Sequence, residues 1–227
     1  MKYVRTFVCF ANSRKHSARC IAGREWLDGR PGEWVRAVSD RPTHEVSAEE
    51  RRYEDGQDPQ VLDIIRVPCE RHQPVSHQCE NHVIDANFYW MKQGRLPWPD
   101  ISAWLDDPHT LWTLGEESYA GVNNRVRIGQ ENGKSLCLVA VQRLSLWIGR
   151  KAPAHPDSKR AVRGEFSYRG TTYRLDITDP VIEGKYLAGH DGQYEIPQAV
   201  LCASLGDPYE GYFYKLIAGV FYKERFA

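Results

Sequence analysis

Five residues of the types that bind metals lie close together in the sequence: Cys69, His72, His77, Cys79 and His82. Zinc takes four nitrogen or sulfur ligands, and two Cys-x2-His pairs can supply them. A finger-like site normally has a longer segment between its pairs than the six residues found here, and Pro74 interrupts that segment. We therefore expect a His-rich polar loop and no cofactor. A zinc site formed by Cys69, His72, Cys79 and His82 is the alternative.

Two groups of basic residues have the chemistry to neutralise phosphates, and aromatic residues between them can stack on bases. With Lys+Arg 30 balanced by Asp+Glu 30, a basic patch requires a segregation of charge that a sequence does not reveal. A solvated charged rim is therefore the alternative. The candidate nucleic-acid-binding residues are Arg14, Lys15, Arg19, Trp34, Arg36 and Arg41 in the first half, and Lys159, Arg160 and Lys215 in the second.

An enzyme would need a nucleophile or an acid/base pair. The residues that offer these groups are Ser13, His16, Glu45 and Asp179, or Cys20 with His16. No G-x-S-x-G, H-E-x-x-H or deaminase-type Cys-x-x-Cys motif accompanies them. We therefore predict no catalytic residues, and an enzyme with an unrecognised polar site is an alternative.

The composition is that of an ordinary globular protein, with 41% hydrophobic and 26% charged residues, which excludes a wholly disordered or collagen-like chain. The longest apolar runs are far shorter than the roughly 20 residues that span a bilayer, and the first residues do not resemble a signal peptide. We expect a cytoplasmic protein that does not bind membranes. In a reducing compartment its cysteines should be free, with Cys9, Cys137 and Cys202 buried in apolar runs.

The elements that would position these residues are mostly strands. Alternating or apolar runs predict strands at 4–11, 20–26, 33–38 and 61–67, and a capping box at Ser47 and Glu50 predicts a short helix before the last of them. Residues 85–112 hold four of the seven tryptophans and fit two short helices, 85–93 and 99–105. Strands are predicted again at 135–141, 144–148, 200–205 and 211–222.

The clearest hairpin joins strands 164–168 and 171–177 through Arg169-Gly170. A two-residue turn places Tyr168 opposite Thr171 and Phe166 opposite Tyr173. One face then carries apolar residues and faces the core, and the other carries Glu165, Ser167, Arg174 and Asp176. The predicted fold is mainly β with short helices (α+β): two β modules, 1–82 and 115–227, joined by a helical, tryptophan-rich connector, 83–114.

Several segments resemble bacterial proteins with a dual OB-containing domain (DuOB). They are Cys9 to Lys15, Arg19 to Gly23, Glu33 to Ser39, Glu45 to Ser47, Glu50 to Gly56, His77 to Asn81, Thr178 to Pro180, Ser204 to Gly206 and Gly211 to Ala218. The resemblance extends over nearly the whole chain. It implies two OB-like barrels and a role in nucleic-acid transactions, within bacterial defence systems among others, and it supplies no catalytic residues.

Together these observations predict an accessory protein that binds single-stranded or distorted DNA or RNA, without reading its sequence and without acting on it chemically. Loops at the strand ends of an OB barrel are where oligonucleotides are held, so the basic clusters are expected there. Nucleic acid is the expected partner, with protein partners in a larger complex. The alternative is a protein-interaction subunit of a multi-protein complex.

Overall fold

A computed structural model describes residues 2–151 and 158–226 of the chain, and the statements below concern these residues. They form two compact units: Met1–Leu105 with Gly133–Ser135, and Asp106–Asn132 with Leu136–Ala227. The segment expected to act as a connector is thus divided at Leu105. The middle of the predicted basic loop, residues 152–157, lies outside the described residues.

The first unit is a closed β barrel with one added strand. Its elements are β1 (Tyr3–Lys15), β2 (Ala18–Leu27), β3 (Arg30–Val38), α1 (Ala48–Arg51), β4 (Asp63–His72), β5 (Asn81–Ile84), β6 (Met91–Arg95) and a 3-10 helix (Trp98–Trp104). β3 pairs with β5 in parallel, and β4 pairs with both β5 and β1, so the strands close in the order β1-β2-β3-β5-β4. This is the five-stranded Greek-key arrangement of an OB fold, to which β6 adds along β4.

The second unit repeats this strand order. Its elements are β7 (Arg125–Arg127), β8 (Leu136–Arg150), β9 (Arg160–Tyr168), β10 (Thr171–Ile177), α2 (Pro180–Leu187), β11 (Gly192–Tyr209), β12 (Tyr212–Phe221) and a 3-10 turn (Lys223–Arg225). β10 pairs with β12 in parallel, and β11 joins β12 to β8. β8 to β12 therefore close as β8-β9-β10-β12-β11, and β7 adds along β12. We call the two units the first and the second barrel.

In each barrel a helix follows the third strand, and the sequence shows why. The predicted capping box is present: Ser47 accepts from the Glu50 backbone and Glu50 accepts from the Ser47 backbone. The sequence patterns above did not predict α2, the helix of the second barrel. Asp179 caps α2 by accepting from the backbone N–H groups of Val181 and Ile182, and Pro180 occupies the first helical position. An N-cap Asp followed by Pro is a start signal that was readable in the sequence.

The second strand of the first barrel requires a glycine at a close approach to β1. A Cβ built at Gly23 would lie 1.8 Å from the carbonyl oxygen of Val8, which no real side chain can occupy. Gly23 therefore allows β1 and β2 to approach this closely.

The helix predicted at 85–93 is wrong. These residues form a turn after Asp85 and then the start of β6, because Trp90 is buried in the core of the first barrel and β6 pairs with β4. The second predicted helix corresponds to the 3-10 helix Trp98–Trp104. Residues 83–105 therefore do not form a helical connector.

The predicted hairpin of β9 and β10 is confirmed, with Tyr168 opposite Thr171 and Phe166 opposite Tyr173. Both aromatic rings of the second pair are buried. Cys9, Cys137 and Cys202 are buried as expected. No helix in the described ranges is long and apolar enough to cross a membrane.

Candidate nucleic-acid interface

The metal-ligand candidates do not converge on one point. Cys69 is in the core of the first barrel, where burial raises the pKa of its thiol to about 12. The Nε2 atom of His72 is 2.6 Å from the Cys79 carbonyl oxygen, and the His72 ring stacks on His82 at 4.8 Å. Burial lowers the pKa of His82 to about 4, and its Nδ1 atom is 2.7 Å from the Tyr3 hydroxyl.

Cys79 is exposed and His77 is buried. Within residues 2–151 and 158–226, no group of three or more His, Cys, Asp and Glu side chains is arranged to hold a metal ion.

Several of the candidate enzyme residues have structural roles, and His16 lies near enough to Glu45 to interact with it electrostatically. Ser13 is buried, and His16 is exposed at the turn between β1 and β2. A hydrogen bond from Thr43 lowers the pKa of Glu45. Asp179, besides capping α2, accepts from the Val220 backbone and forms a buried ion pair with Arg225 at 2.5 Å. Asp179 thus ties the end of the chain to the second barrel.

Two of the predicted phosphate contacts are corrected by the structure. Arg36 and Lys215 are only 3% and 1% exposed, so neither charged group is presented to a ligand outside the barrel. They are removed from the candidate interface.

Arg36 is the centre of a polar network in the first barrel. Its guanidinium donates to the Glu80 carboxylate at 3.2 Å, to the Cys20 sulfur at 2.5 Å and to the Ser135 hydroxyl at 2.7 Å, and Ser135 itself donates to Glu80. Burial opposes its charge, but Cys20 and Glu80 outweigh this effect, so the pKa of Arg36 is raised. Glu80 is in the β4–β5 loop, Ser135 is in the segment Gly133–Ser135 and Cys20 is on β2, so the network joins three parts of the first unit around Arg36.

Lys215 points into the second barrel from β12. Its Nζ atom donates to the Thr113 carbonyl oxygen at 2.5 Å and lies 5.4 Å from the centre of the Tyr173 ring. In the described residues no carboxylate forms an ion pair with it, and burial lowers its pKa to about 7.

The other predicted basic residues of the first barrel lie at its surface. Arg14 faces Arg19 across the β1–β2 hairpin, and Lys15 is partly exposed beside them. Arg41 forms an ion pair with Glu50 at 2.7 Å and donates to the Glu45 carbonyl oxygen. Trp34 is half-buried, 6.2 Å from the Phe10 ring.

In the second barrel Lys159 is exposed, but the guanidinium of Arg160 already has three partners. It pairs with Asp191 at 2.7 Å and donates to the carbonyl oxygens of Leu187 and Gly189 at the end of α2. Cations are favourable at the C-terminus of a helix, so this contact supports α2.

The outer surface of β2 and β3, the usual OB binding face, is covered in the first barrel by its own chain. Trp104 of the 3-10 helix is 1% exposed, stacks on Trp26 at 5.6 Å and contacts Phe10 at 5.8 Å. Its carbonyl oxygen also accepts from Arg24 on β2. Together with the Arg36 network, these contacts leave little of this surface for a nucleic-acid strand.

In the second barrel the outer face of the first three strands, β8, β9 and β10, is partly exposed as far as the described residues show. Leu144, Leu146 and Ile148 of β8 point into the core, so the residues between them point outwards, and Trp147 is 41% exposed. Trp147 lies opposite Arg163, which lies opposite Asp176 on β10. We call this surface the Trp147 face; its residues are Ser145, Trp147, Lys151, Arg163, Glu165, Arg174, Asp176 and Glu195.

Charged residues frame the tryptophan on this face. The Arg174 guanidinium lies 5.5 Å over the Trp147 ring and pairs with Glu165 at 2.5 Å. Lys151 and Arg163 both pair with Asp176, at 2.5 and 3.1 Å. Because these groups are partly exposed, each ion pair contributes at most about 1 kcal/mol and can be exchanged for a phosphate contact.

Sequence reasoning placed Arg174 on the outer face but omitted Trp147 from the candidates. The signal was present: Leu144, Leu146 and Ile148 alternate with Ser145 and Trp147, and a period of two places the tryptophan on the solvent side.

A family model described as “Dual OB-containing domain” matches residues 5–220. Neither a curated protein sequence nor a solved structure gives a significant match to the chain.

Proposed function

Because the chain belongs to the family of dual OB-containing domains, we propose that it binds single-stranded nucleic acid on the Trp147 face of the second barrel. A base stacks on the exposed Trp147 ring, and Arg163, Arg174 and Lys151 contact the neighbouring phosphates. Stacking is tolerant of sequence because every base has a flat aromatic face, so binding does not depend on base identity.

One observation carries this proposal. The same OB surface is filled by Trp104 and Phe10 in the first barrel, whereas in the second barrel it presents a tryptophan with an arginine over its ring. An exposed large aromatic ring beside partly exposed cations is the combination that single-stranded nucleic-acid sites use.

The test is fluorescence anisotropy with labelled oligo-dT and oligo-rU, which also compares DNA with RNA. Loss of one stacked base costs about 1–3 kcal/mol, so Trp147→Ala should weaken binding by roughly 5- to 150-fold, and Trp147→Phe by less. Tyr119→Ala is the matched control, because Tyr119 is 84% exposed and lies outside the face. Equal affinity of wild type and Trp147→Ala would refute this placement.

Salt dependence gives a second measure of the same site. Each phosphate contact on a single strand contributes about 0.7 to the log-log slope, so the three cations of the face predict a slope of about −2. Arg174→Gln should make this slope shallower by about 0.7, for every oligonucleotide sequence alike.

We also propose that the protein acts as an accessory component, because a protein that only holds a strand needs a partner to act on it. The competing function, a protein-interaction subunit, predicts that no single-stranded DNA, RNA or junction binds even at low salt. The anisotropy assay separates these two functions.

A further inference from the structure

A second surface that combines aromatic residues and cations lies on the first barrel, away from its covered β2–β3 surface. After β5 the chain turns through residues 85–90 and enters β6, and Trp90, 1% exposed, anchors the turn by pairing with Tyr53. The residues around this anchor face solvent: Phe88 is 58%, Tyr89 48% and Met91 50% exposed. Three large apolar side chains are thus held at the surface of one short segment.

Two arginines accompany these side chains. The Arg52 guanidinium lies 5.4 Å from the centre of the Tyr89 ring. Arg66 on β4 is opposite Met91 on β6, and its Nη1 atom is 3.9 Å from the Met91 sulfur. Both arginines are exposed. We call these five residues, Arg52, Arg66, Phe88, Tyr89 and Met91, the Phe88 surface.

The two carboxylates within residues 63–66 and 85–95 are both buried. Asp63 on β4 is fully buried, accepts from the Tyr53 hydroxyl and pairs with Lys92 at 2.8 Å. Asp85 is 2% exposed and pairs with Lys2 at 2.5 Å. Both are therefore held beside a lysine, and Arg66 keeps its charge at the surface, whereas Arg52 is followed by the exposed carboxylates Glu54 and Asp55.

We propose that the Phe88 surface is a second contact site for an unpaired stretch of nucleic acid, with bases on Phe88 and Tyr89 and phosphates at Arg52 and Arg66. The inference rests on the proposed function and assigns the first barrel a part in it. Exposed rings with cations beside them match a polyanion that carries flat bases. A purely apolar protein partner would desolvate the exposed Arg66 without supplying a counter-charge, which is costly.

The test uses the full chain and labelled oligo-dT of about 30 nucleotides, long enough for two barrels at up to about 16 nucleotides each. The variants are Phe88→Ser with Tyr89→Ser, and Arg66→Glu. The controls are Tyr119→Ser and Lys223→Glu, which are exposed residues outside both surfaces. Thermal unfolding checks that every variant is folded, which we expect because all the substituted side chains are exposed.

We expect the double variant to weaken binding about tenfold or more, and Arg66→Glu to weaken it and make the salt slope shallower. Both effects should persist in a Trp147→Ala background. If the wild type binds and the double variant binds equally well, the Phe88 surface is not a nucleic-acid site, while the proposed function stands. If the wild type binds no oligonucleotide at low salt, the proposed function fails and this inference fails with it.

Discussion

Replacing the buried lysine of the second barrel, Lys215→Met, should make the protein more stable at low and neutral pH. The Lys215 ammonium loses its hydration, and among the described residues it gains the Thr113 carbonyl oxygen and the face of the Tyr173 ring. Burial therefore lowers its pKa from 10.5 to about 7. Methionine fills a similar volume without a charge.

The direction of the pH dependence follows from proton binding. In the unfolded chain Lys215 has a pKa near 10.4, so between about pH 7 and pH 10 the unfolded state holds more protons than the folded state. The contribution of Lys215 to the free energy of unfolding must therefore rise with pH across this window. It is at its lowest below about pH 7. At 1.36 kcal/mol per pKa unit, the difference between 10.5 and about 7 corresponds to an upper bound of roughly 5 kcal/mol.

Urea unfolding of the wild type and Lys215→Met between about pH 6 and pH 9 measures this difference, provided that the slope with denaturant is unchanged. We expect the advantage of the variant to be largest at the acidic end and to shrink by up to about 2.7 kcal/mol by pH 9, two pH units above the folded pKa. The exposed Lys223→Met is the control and should leave the profile unchanged. Parallel profiles of wild type and Lys215→Met would refute the lowered pKa of the buried Lys215 side chain.

Two further pairs of substitutions test how the fold is held together, and denaturant unfolding measures all four. Asp179→Asn should cost about 3–5 kcal/mol because it leaves Arg225 buried without its charge partner, whereas Asp191→Asn, in a partly exposed pair, should cost less than about 1 kcal/mol. Gly23→Ala should cost about 1–3 kcal/mol or more because its Cβ meets the Val8 backbone, whereas Gly184→Ala, a helix position with open space, should stabilise the protein by roughly 0.5–1 kcal/mol.

Local sequence patterns correctly predicted the features that depend on residues close together in the sequence. The period of two gave the β9–β10 hairpin with its register, and the Ser47–Glu50 pair gave the start of α1. Both depend on contacts between residues only a few positions apart, so the residue types alone specify them.

The positions of buried charges depend on distant segments and were not predictable in this way. Arg36 is covered by Glu80 and Ser135, which are 44 and 99 residues away in sequence. Lys215 is a different case, because it lies between the inward-facing Phe213 and Ile217, and alternation alone indicated burial. The charge of Lys215 indicated an exposed side chain. The pairing of β12 with its neighbouring strands instead places it inside the barrel.

The two barrels have the same strand order but differ in how the aromatic rings on their outer faces are packed. In the first barrel that side of the sheet packs Phe10, Trp26 and Trp104 together, which buries apolar area that would otherwise be exposed and stabilises the 3-10 helix against the sheet. In the second barrel Trp147 is 41% exposed and has the Arg174 guanidinium over its ring. Strand order therefore does not decide where a ligand binds. The side chains on the outer surface of each barrel determine it. On the first barrel, exposed aromatic rings and arginines lie together at the Phe88 surface.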